Sequence, residues 1–515
     1  MGMLRAVGRF VTSILILTLL AGTAWTGRAS VARVDVDPAL RSGDVALIQV
    51  AAGTAWTVAA DLTAAGATEV ATFDSVGVVT ARVTDRALAT IATDRAVRRA
   101  TNDARVMAVG GGKNRPDLDS VGNASTKDSI GIAAIDAAAA WPLTTGAGVV
   151  VALMDSGIST HPDLPTGKVI ARVDLVNDGA PGLDPAGHGT HLAGIIAGQG
   201  TTFRGVAPDA RLVDIRVLDA GGAGTLREVV AGFDWLLKHR AALGIRVLNL
   251  SFGTTQTSSY HGDLLAALAE SAWFAGITVV AAAGNDGADA GTVSTPGADP
   301  FIITAGSFDD QGTRADQDDR ESAFSSRGPT LDGFTKPDVL APGRRVVSLR
   351  AAGPQVALAP THGAARDTTS ANSLYTRMSG TSVSSAMVSG VAALVLSFHV
   401  SYTPTKAKGA IVAAGRSITG SPTKAVLAPT AVLMSPRTVN SGLFPSRLLM
   451  TALARSGLVG NGTTWEGVTW EGVTWESVTW ESVTWEAVTW ESVSWEGVAW
   501  ERTSVTQHSA GGASE

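Results

Sequence analysis

The sequence predicts an α/β protein with a doubly wound, mainly parallel sheet. Over roughly residues 127–434, short apolar runs alternate with segments of helical period. Apolar runs of this length are typical of parallel strands that are buried on both faces. The predicted strands are 149–154, 211–217, 247–250, 277–283 and 301–305. In such sheets ligands bind beyond the carboxyl ends of the strands, so residues at those ends are the first functional candidates.

Composition narrows the classes of function. The 515-residue chain is long enough for roughly two to four units, and its 40 basic against 46 acidic residues give a net charge of −6. This charge gives no reason to expect a nucleic acid or an anionic membrane as a partner. The chain has no cysteine, which excludes disulfides, cysteine-ligated zinc and cysteine nucleophiles.

Residues 1–29 have the pattern of a secretory signal peptide. Arg5 and Arg9 precede an apolar run at 10–24, and small residues follow up to Ser30. The alternative is an uncleaved membrane anchor, but the strongly apolar part is about 15 residues, short of the ~20 that span a bilayer as a helix. The sequence therefore predicts a secreted or cell-surface associated protein of bacterial type.

Residues 44–109 are predicted to form a small α+β module. Strand-type and helix-type runs alternate there, at 45–50, 61–65, 76–83 and 85–92. The module contains no candidate nucleophile or metal cluster, so taken alone it is a structural domain. The glycine-rich, charged stretch 110–116 follows as an exposed connector, the kind of segment that proteases cut.

Two polar residues lie at ends of the predicted elements. Asp155 directly follows the first predicted strand, although an isolated Asp-Ser-Gly is more often a turn or a cap. His188 lies between glycines before a predicted helix at 192–197. A metal shared by His188 and His191 is the alternative, but no nearby glutamate pattern completes a zinc site, and Asp184 is the nearest acidic residue.

A third polar residue, Ser382, opens the predicted helix 383–398. The N–H groups and dipole of a helix start can stabilise a developing oxyanion, although a serine there is more often only an N-cap. The order Asp155, His188, Ser382, with these flanking residues, resembles the subtilase family. The resemblance covers roughly residues 127–434. Its blocks are 152–158, 161–164, 187–193, 205–208, 249–253, 281–285, 324–329, 336–343 and 379–382.

The resemblance implies a catalytic triad and its roles. His188 would take the proton of Ser382 and later protonate the leaving amine, and Asp155 would orient and stabilise the imidazole. Asn285 would supply the oxyanion-hole amide. Substrate would add as a β-strand along the segment that holds Ser251, Phe252 and Gly253, with Gly284 as a further substrate-binding residue.

The chain departs from the family pattern in three places. Val383-Ser384-Ser385-Ala386 follows the predicted nucleophile, where the family usually has Met-Ala-x-Pro. Well-known members hold calcium with the position that matches Asp163, but the connection 198–204 lacks their asparagine-bearing loop. No cofactor and no metal ligand are therefore assigned, and calcium stays an alternative with weak support. The stretch 350–377 has no assignable motif and is predicted to be an insertion near the cleft. Asp286 hints weakly at tolerance for basic substrate side chains.

The same resemblance assigns the module at 44–109 as an inhibitory, ferredoxin-like propeptide. Such a propeptide assists folding and blocks the cleft until it is removed, and self-cleavage is expected between about residues 109 and 126. The predicted organisation is a signal peptide at 1–29, propeptide and linker at 30–125, peptidase domain at 126–435, linker at 436–462, repeats at 463–502 and a disordered tail at 503–515.

The repeats place a tryptophan every five residues from Trp465 to Trp500. An odd period puts successive tryptophans on opposite faces of a strand, and a period of five fits no simple amphipathic helix. The repeats resemble tryptophan-rich tails on some bacterial subtilases. A low-complexity extension, a strand-and-turn repeat that binds glycans or cell surfaces, and a self-association segment all stay open.

Two functions are compatible with the whole chain. The first is a secreted serine endopeptidase, made as a self-processed zymogen, which hydrolyses polypeptides through an acyl-enzyme and has its own propeptide as inhibitor. The alternative is an inert peptidase domain on a protein that binds surfaces through its tryptophan-rich tail. The triad residues and Asn285 are all present, which favours the endopeptidase.

Overall fold

A computed structural model describes residues 34–108, 127–176, 178, 184–256, 258–352 and 374–446. The predicted signal peptide, the glycine-rich connector and the tryptophan repeats lie outside these residues. The elements of the N-terminal module are β1 Asp35–Val36, β2 Val45–Val50, α1 Ala55–Ala64, β3 Thr68–Phe73, β4 Val78–Arg82, α2 Asp85–Thr93, β5 Val97–Asn102 and β6 Arg105–Ala108.

Residues 34–108 fold as an α+β module with a sheet in the order β1-β5-β2-β4-β3. The inward residues of the sheet and of both helices form a separate apolar core that includes Ile48, Leu62, Val79 and Ile91. The predicted strands at 45–50 and 76–83 correspond to β2 and β4. The sequence did not predict β3, because this edge strand is only half-buried and lacks a continuous apolar pattern.

The larger unit follows from residue 127 onward. Its helices are α3 Ala137–Ala140, α4 His188–Ala197, α5 Leu226–Leu243, α6 Leu264–Phe274, α7 Thr381–Phe398, α8 Pro404–Ala413 and α9 Ala428–Leu433. Its strands are β7 Val150–Asp155, β8 Val169–Asp174, β9 Arg211–Arg216, β10 Ala223–Thr225, β11 Ile245–Leu250, β12 Phe252–Gly253, β13 Thr278–Ala282, β14 Ile303–Asp309, β15 Arg320–Glu321, β16 Val339–Pro342, β17 Val346–Leu349 and β18 Tyr375–Met378.

An eight-stranded sheet organises the described part of this unit. Its order is β15-β14-β13-β11-β7-β9-β8, with β16 beside β14. All of its pairings are parallel except β14 with β15. Helices α4 and α7 pack against each other and the sheet, as do α5 and α6. The predicted α/β class with a mainly parallel sheet is therefore confirmed.

The strand ends differ from the prediction by a few residues. Asp155 is the last residue of β7 rather than the residue after it, and β14 runs over 303–309 instead of 301–305. Phe301 instead belongs to a turn in which its N–H donates to Asp299 Oδ1 at 2.8 Å. Strand β18 overlaps the end of the stretch 350–377 that was predicted to be an insertion. Its four residues alternate between half-buried and buried, a pattern too short to predict a strand.

Residues 437–446 pack against the large unit, although 436–462 was predicted to be a linker. The hydroxyl of Tyr260 donates to the carbonyl of Phe444 at 2.7 Å, and the N–H of the buried Ser446 donates to Glu270 at 2.7 Å. Among the described residues, the one helix long and apolar enough to cross a membrane is α7, and 89% of it is buried within the fold.

Candidate active site

Asp155 and His188 meet at one edge of the sheet. Asp155 ends β7 and His188 begins α4, and the Nδ1–H of His188 donates to Asp155 Oδ1 at 2.7 Å. Both side chains are buried, with 0% and 2% exposure. The glycine beside the histidine makes this approach feasible, because a Cβ on Gly189 would lie 2.1 Å from the carbonyl oxygen of Gly157.

The backbone of Ser156 also holds the Asp155 carboxylate. The backbone N–H of Ser156 donates to Asp155 Oδ1 at 2.7 Å, and the Ser156 hydroxyl lies 3.1 Å from the same atom. Since Nδ1 of His188 carries the proton that Asp155 accepts, Nε2 is the nitrogen left to act as a base. The pair therefore has the tautomer that a serine nucleophile requires.

Asp184 is a buried carboxylate that supports this pair. Its Oδ1 accepts from the Ser156 hydroxyl and from the Gly187 N–H, each at 2.8 Å, and its Oδ2 accepts from the Thr190 N–H at 2.7 Å. It therefore fixes the start of α4 and the residue after Asp155. The sequence noted Asp184 only as the nearest acidic residue, and its position just before the His188 helix was the signal for this role.

The electrostatics of His188 result from opposed effects. Burial lowers the pKa of His188, but the Asp155 charge and hydrogen bond, with a smaller contribution from Asp184, outweigh it and raise the pKa above its usual value. Burial raises the pKa of Asp184. His191, one turn along α4, has the opposite character. Burial lowers its pKa to about 3, and its Nε2–H donates to the carbonyl of Val346 at 3.1 Å, so it is a neutral structural residue.

Ser382 lies in the first turn of α7, behind an N-cap glycine. Its hydroxyl lies 3.3 Å from the carbonyl oxygen of Ser251, and the side chain is buried. The residues that depart from the family pattern are accommodated in this helix. Ser385 donates to the Ser382 carbonyl at 2.8 Å, and Ser384 donates to the carbonyl of Ala341 at 3.0 Å. Ser384 therefore links the first turn of α7 to β16, whereas the Ser385 bond stays within the helix.

Asn285 is oriented by the residue before Ser382. Its Oδ1 accepts from the Thr381 N–H at 2.9 Å and from the Thr381 hydroxyl at 3.0 Å. With Oδ1 held in this way, Nδ2 is the donor that Asn285 can present to a ligand. Gly284 has φ 118°, and a Cβ there would lie 2.7 Å from Ser326 Oγ, so the strand end requires glycine. Asp286 follows at an exposed position.

The predicted substrate segment is already paired with the chain's own N-terminal module. Strand β6 lies between β10 and β12 in a small antiparallel sheet, with Ala108 opposite Phe252 and Met107 opposite Gly253. On the other side Met107 lies opposite Ala223. The N–H of Ala108 also donates to the Gly222 carbonyl at 2.8 Å. Residues 105–108 thus add a strand where an extended peptide substrate was predicted to bind.

Comparison with known proteins identifies the family of the larger unit. The model of the subtilase family matches residues 146–436, more than half of the chain. Serine protease AprX of Bacillus subtilis is 38% identical over 273 residues, which cover 51% of this chain and 60% of that protein. Thermitase of Thermoactinomyces vulgaris is 33% identical over 267 residues, which cover 51% of this chain and 80% of that protein.

A solved structure agrees on the fold. Fervidolysin from Fervidobacterium pennivorans, described as a keratinolytic enzyme related to subtilisin, aligns with a TM-score of 0.60 and 23% identity. The alignment covers 80% of this chain and 64% of fervidolysin, and at that identity it supports the architecture alone. Together with the matched family model and relatives named as serine proteases, these results show that the chain belongs to the subtilase family.

Proposed function

We propose that the protein is a serine endopeptidase that cleaves polypeptides through Asp155, His188 and Ser382. The observation that carries the proposal is the buried 2.7 Å hydrogen bond from His188 to Asp155, together with the position of Ser382 in the first turn of α7. A purely structural histidine does not need a buried carboxylate that raises its pKa. A base does need one, because the imidazolium that forms must be stabilised.

The reaction begins when the Ser382 hydroxyl attacks the carbonyl carbon of the scissile peptide bond. His188 Nε2 takes the hydroxyl proton, and the imidazolium is stabilised by Asp155. His188 then gives the proton to the leaving amine, which departs and leaves an acyl-enzyme. Water, activated by the same histidine, releases the acid product and restores the Ser382 hydroxyl.

Charge on the attacked oxygen is stabilised by two donors. These donors are Nδ2 of Asn285 and the N–H of Ser382. Thr381 positions both, because it donates hydrogen bonds to Asn285 Oδ1 and directly precedes Ser382. The N-terminus of α7 adds its dipole at this point. Loss of one such donor in a site of this kind typically costs about 10²–10³ in rate.

Residues 34–108 act as an inhibitory propeptide in this proposal. Strand β6 pairs with β12 and β10, so it would exclude a substrate strand from the same position. Ala108 is opposite Phe252, the neighbour of Ser251, and the Ser251 carbonyl lies 3.3 Å from the Ser382 hydroxyl. We therefore place the cleaved bond directly after residue 109, within the interval 109–126 expected from the sequence. The signal-peptide pattern of residues 1–29 agrees with secretion of the chain before this cleavage.

The test compares the full chain from about residue 30 with its Ser382→Ala variant. Ser397→Ala is the matched control, because Ser397 lies on the same helix and donates to the Ala147 carbonyl, away from the site. We expect the unmodified chain and the control to lose the N-terminal module and to digest casein. Ser382→Ala should stay full length and inactive.

Each outcome of this test is informative. Processing or casein hydrolysis that persists in Ser382→Ala would refute the assigned nucleophile. If the unmodified chain is folded, unprocessed and inactive, the surface-binding alternative is favoured. Deletion of 463–502 would then be compared with the full chain for retention on bacterial cell walls. N-terminal sequencing of the mature chain tests the proposed cleavage after residue 109.

A further inference from the structure

The carboxylate of Asp163 is hydrogen-bonded and closely packed by other residues of the chain. Asp163 matches a calcium-binding position in well-known subtilases. The hydroxyl of Tyr375 donates to Asp163 Oδ2 at 2.7 Å. On another side, the backbone of Gly200 approaches so closely that a Cβ there would lie 2.3 Å from Oδ2. The Gln199 N–H donates to the Asp163 carbonyl at 2.8 Å, which holds this connection against the aspartate.

His161 completes the contact between the two segments. Its Nδ1 accepts from the Asp163 N–H at 3.1 Å, and its Nε2–H donates to the Leu374 carbonyl at 2.8 Å. These two bonds require the neutral tautomer with the proton on Nε2. The Tyr375 ring packs against Phe203, with centroids 4.7 Å apart, and more loosely against His161 at 5.9 Å. One aromatic side chain therefore joins the loop after Asp155, the 198–204 connection and β18.

The strand pair β17–β18 extends this contact to the helix that carries His188. Ser348 on β17 donates to the His191 carbonyl at 2.9 Å. A Cβ on Gly194 of α4 would lie 2.4 Å from Leu349 Cγ, so helix and strand are in close contact. The β17–β18 pair thus contacts the segments that follow both Asp155 and His188.

The groups around Asp163 do not fit the coordination of a calcium ion. A calcium ion takes 6–8 oxygen ligands at 2.3–2.6 Å. Here one carboxylate oxygen accepts a hydroxyl proton, glycine backbone lies against the same oxygen, and the neighbouring imidazole is engaged in two hydrogen bonds. Burial, followed by the bond to Asp163, raises the pKa of Tyr375 to about 12, so the side chain is a hydroxyl donor at neutral pH.

We propose that Tyr375 takes the place of a structural cation in this protein. Its hydroxyl donates to Asp163 and links the β17–β18 pair to the loop that follows Asp155. Because of this link the fold is stable without calcium. This inference concerns stability and goes beyond the proposed peptidase function. Its readout is unfolding, so its failure would leave the assignment of Ser382 untouched.

The experiment measures thermal unfolding of the full chain in the Ser382→Ala background, which prevents self-digestion. Each protein is scanned in EDTA and in millimolar calcium. We expect the parent's midpoint to be equal in both to within about 1 °C. Tyr375→Phe should lower it by about 2–5 °C in EDTA, from the loss of one hydrogen bond to a carboxylate. Tyr402→Phe is the control, because Tyr402 is another half-buried tyrosine and stacks on His399 at 4.1 Å.

Two results would overturn the proposal. One is a parent midpoint that rises by several degrees in calcium, which would show a cation site in the intact protein. The other is a Tyr375→Phe effect no larger than that of Tyr402→Phe. The double variant Asp163→Ala/Tyr375→Phe supplies a further check. We expect its midpoint to fall by clearly less than the sum of the two single effects, whereas full additivity would contradict a direct contact.

Discussion

Two buried carboxyl groups make the stability of this protein depend on pH. Glu270 lies in α6 and Asp299 in the turn before β14, and both have 0% exposure. Burial raises the pKa of Asp299 to about 6, although Glu270, Lys336 and Lys408 act in the opposite direction. Burial and then the Asp299 charge raise the pKa of Glu270 well above its usual value. The folded protein therefore binds protons at this pair more tightly than two exposed carboxyl groups would.

The sign of the effect follows from the raised pKa. The folded state binds the Asp299 proton more tightly than the unfolded chain does, so its contribution is present below pH 4 and is lost as pH rises through about 6. A rise in pKa from 3.8 to about 6 corresponds to about 3 kcal/mol. The substitution Asp299→Asn keeps the shape of the protonated carboxyl group and removes this titration. Its stability relative to the parent should therefore rise by about 3 kcal/mol between pH 4 and pH 7.

The assay is thermal unfolding at a fixed scan rate in the Ser382→Ala background. For a domain of about 300 residues, 3 kcal/mol corresponds to a midpoint shift of about 5 °C. The measured quantity is the difference between variant and parent at each pH, because titrating groups that do not interact with Asp299 cancel in it. Asp289→Asn, at an exposed position of the same domain, is the control. A difference that stays constant from pH 4 to pH 7, or that falls, would refute the reasoning.

Four predictions concern the active site, each measured with a peptide substrate. Asn285→Ala should lower kcat by about 10²–10³ with a smaller change in KM, and an effect on KM alone would contradict its role as an oxyanion donor. Asp155→Asn should lower kcat by about 10⁴, because the His188 tautomer is no longer fixed. In the parent, kcat/KM should rise with pH through the raised pKa of His188, above 6.5, since only the neutral imidazole is a base. Asp184→Asn should move that rise to lower pH, because the Asp184 charge helps to raise this pKa, and an unmoved profile would reduce Asp184 to a purely structural role.

Local patterns were enough to predict the framework of the site. Strand β7 and helix α7 are almost wholly buried, so their apolar composition predicted them from sequence. Asp155, His188 and Ser382 lie at the ends of such elements, where the structure places them. The contact of His188 with Asp155 spans 33 residues and was expected only through the family resemblance.

Contacts between distant segments could not be predicted in this way. Tyr375 and Asp163 are 212 residues apart, and neither lies in a pattern that indicates the other. The placement of β6 between β10 and β12 depends on backbone pairing, which side-chain periodicity does not encode. The same holds for Ser446, which lies in a segment without regular structure and is fixed by Glu270.

In the proposed mechanism Ser382 is a nucleophile activated by His188. The most direct measurement is reaction of the processed protein with a fluorophosphonate, a probe that labels activated serines, followed by mapping of the adduct by mass spectrometry. We expect one adduct, on Ser382, and no adduct in His188→Ala. A folded, processed protein that stays unlabelled, or an adduct on another serine, would contradict it.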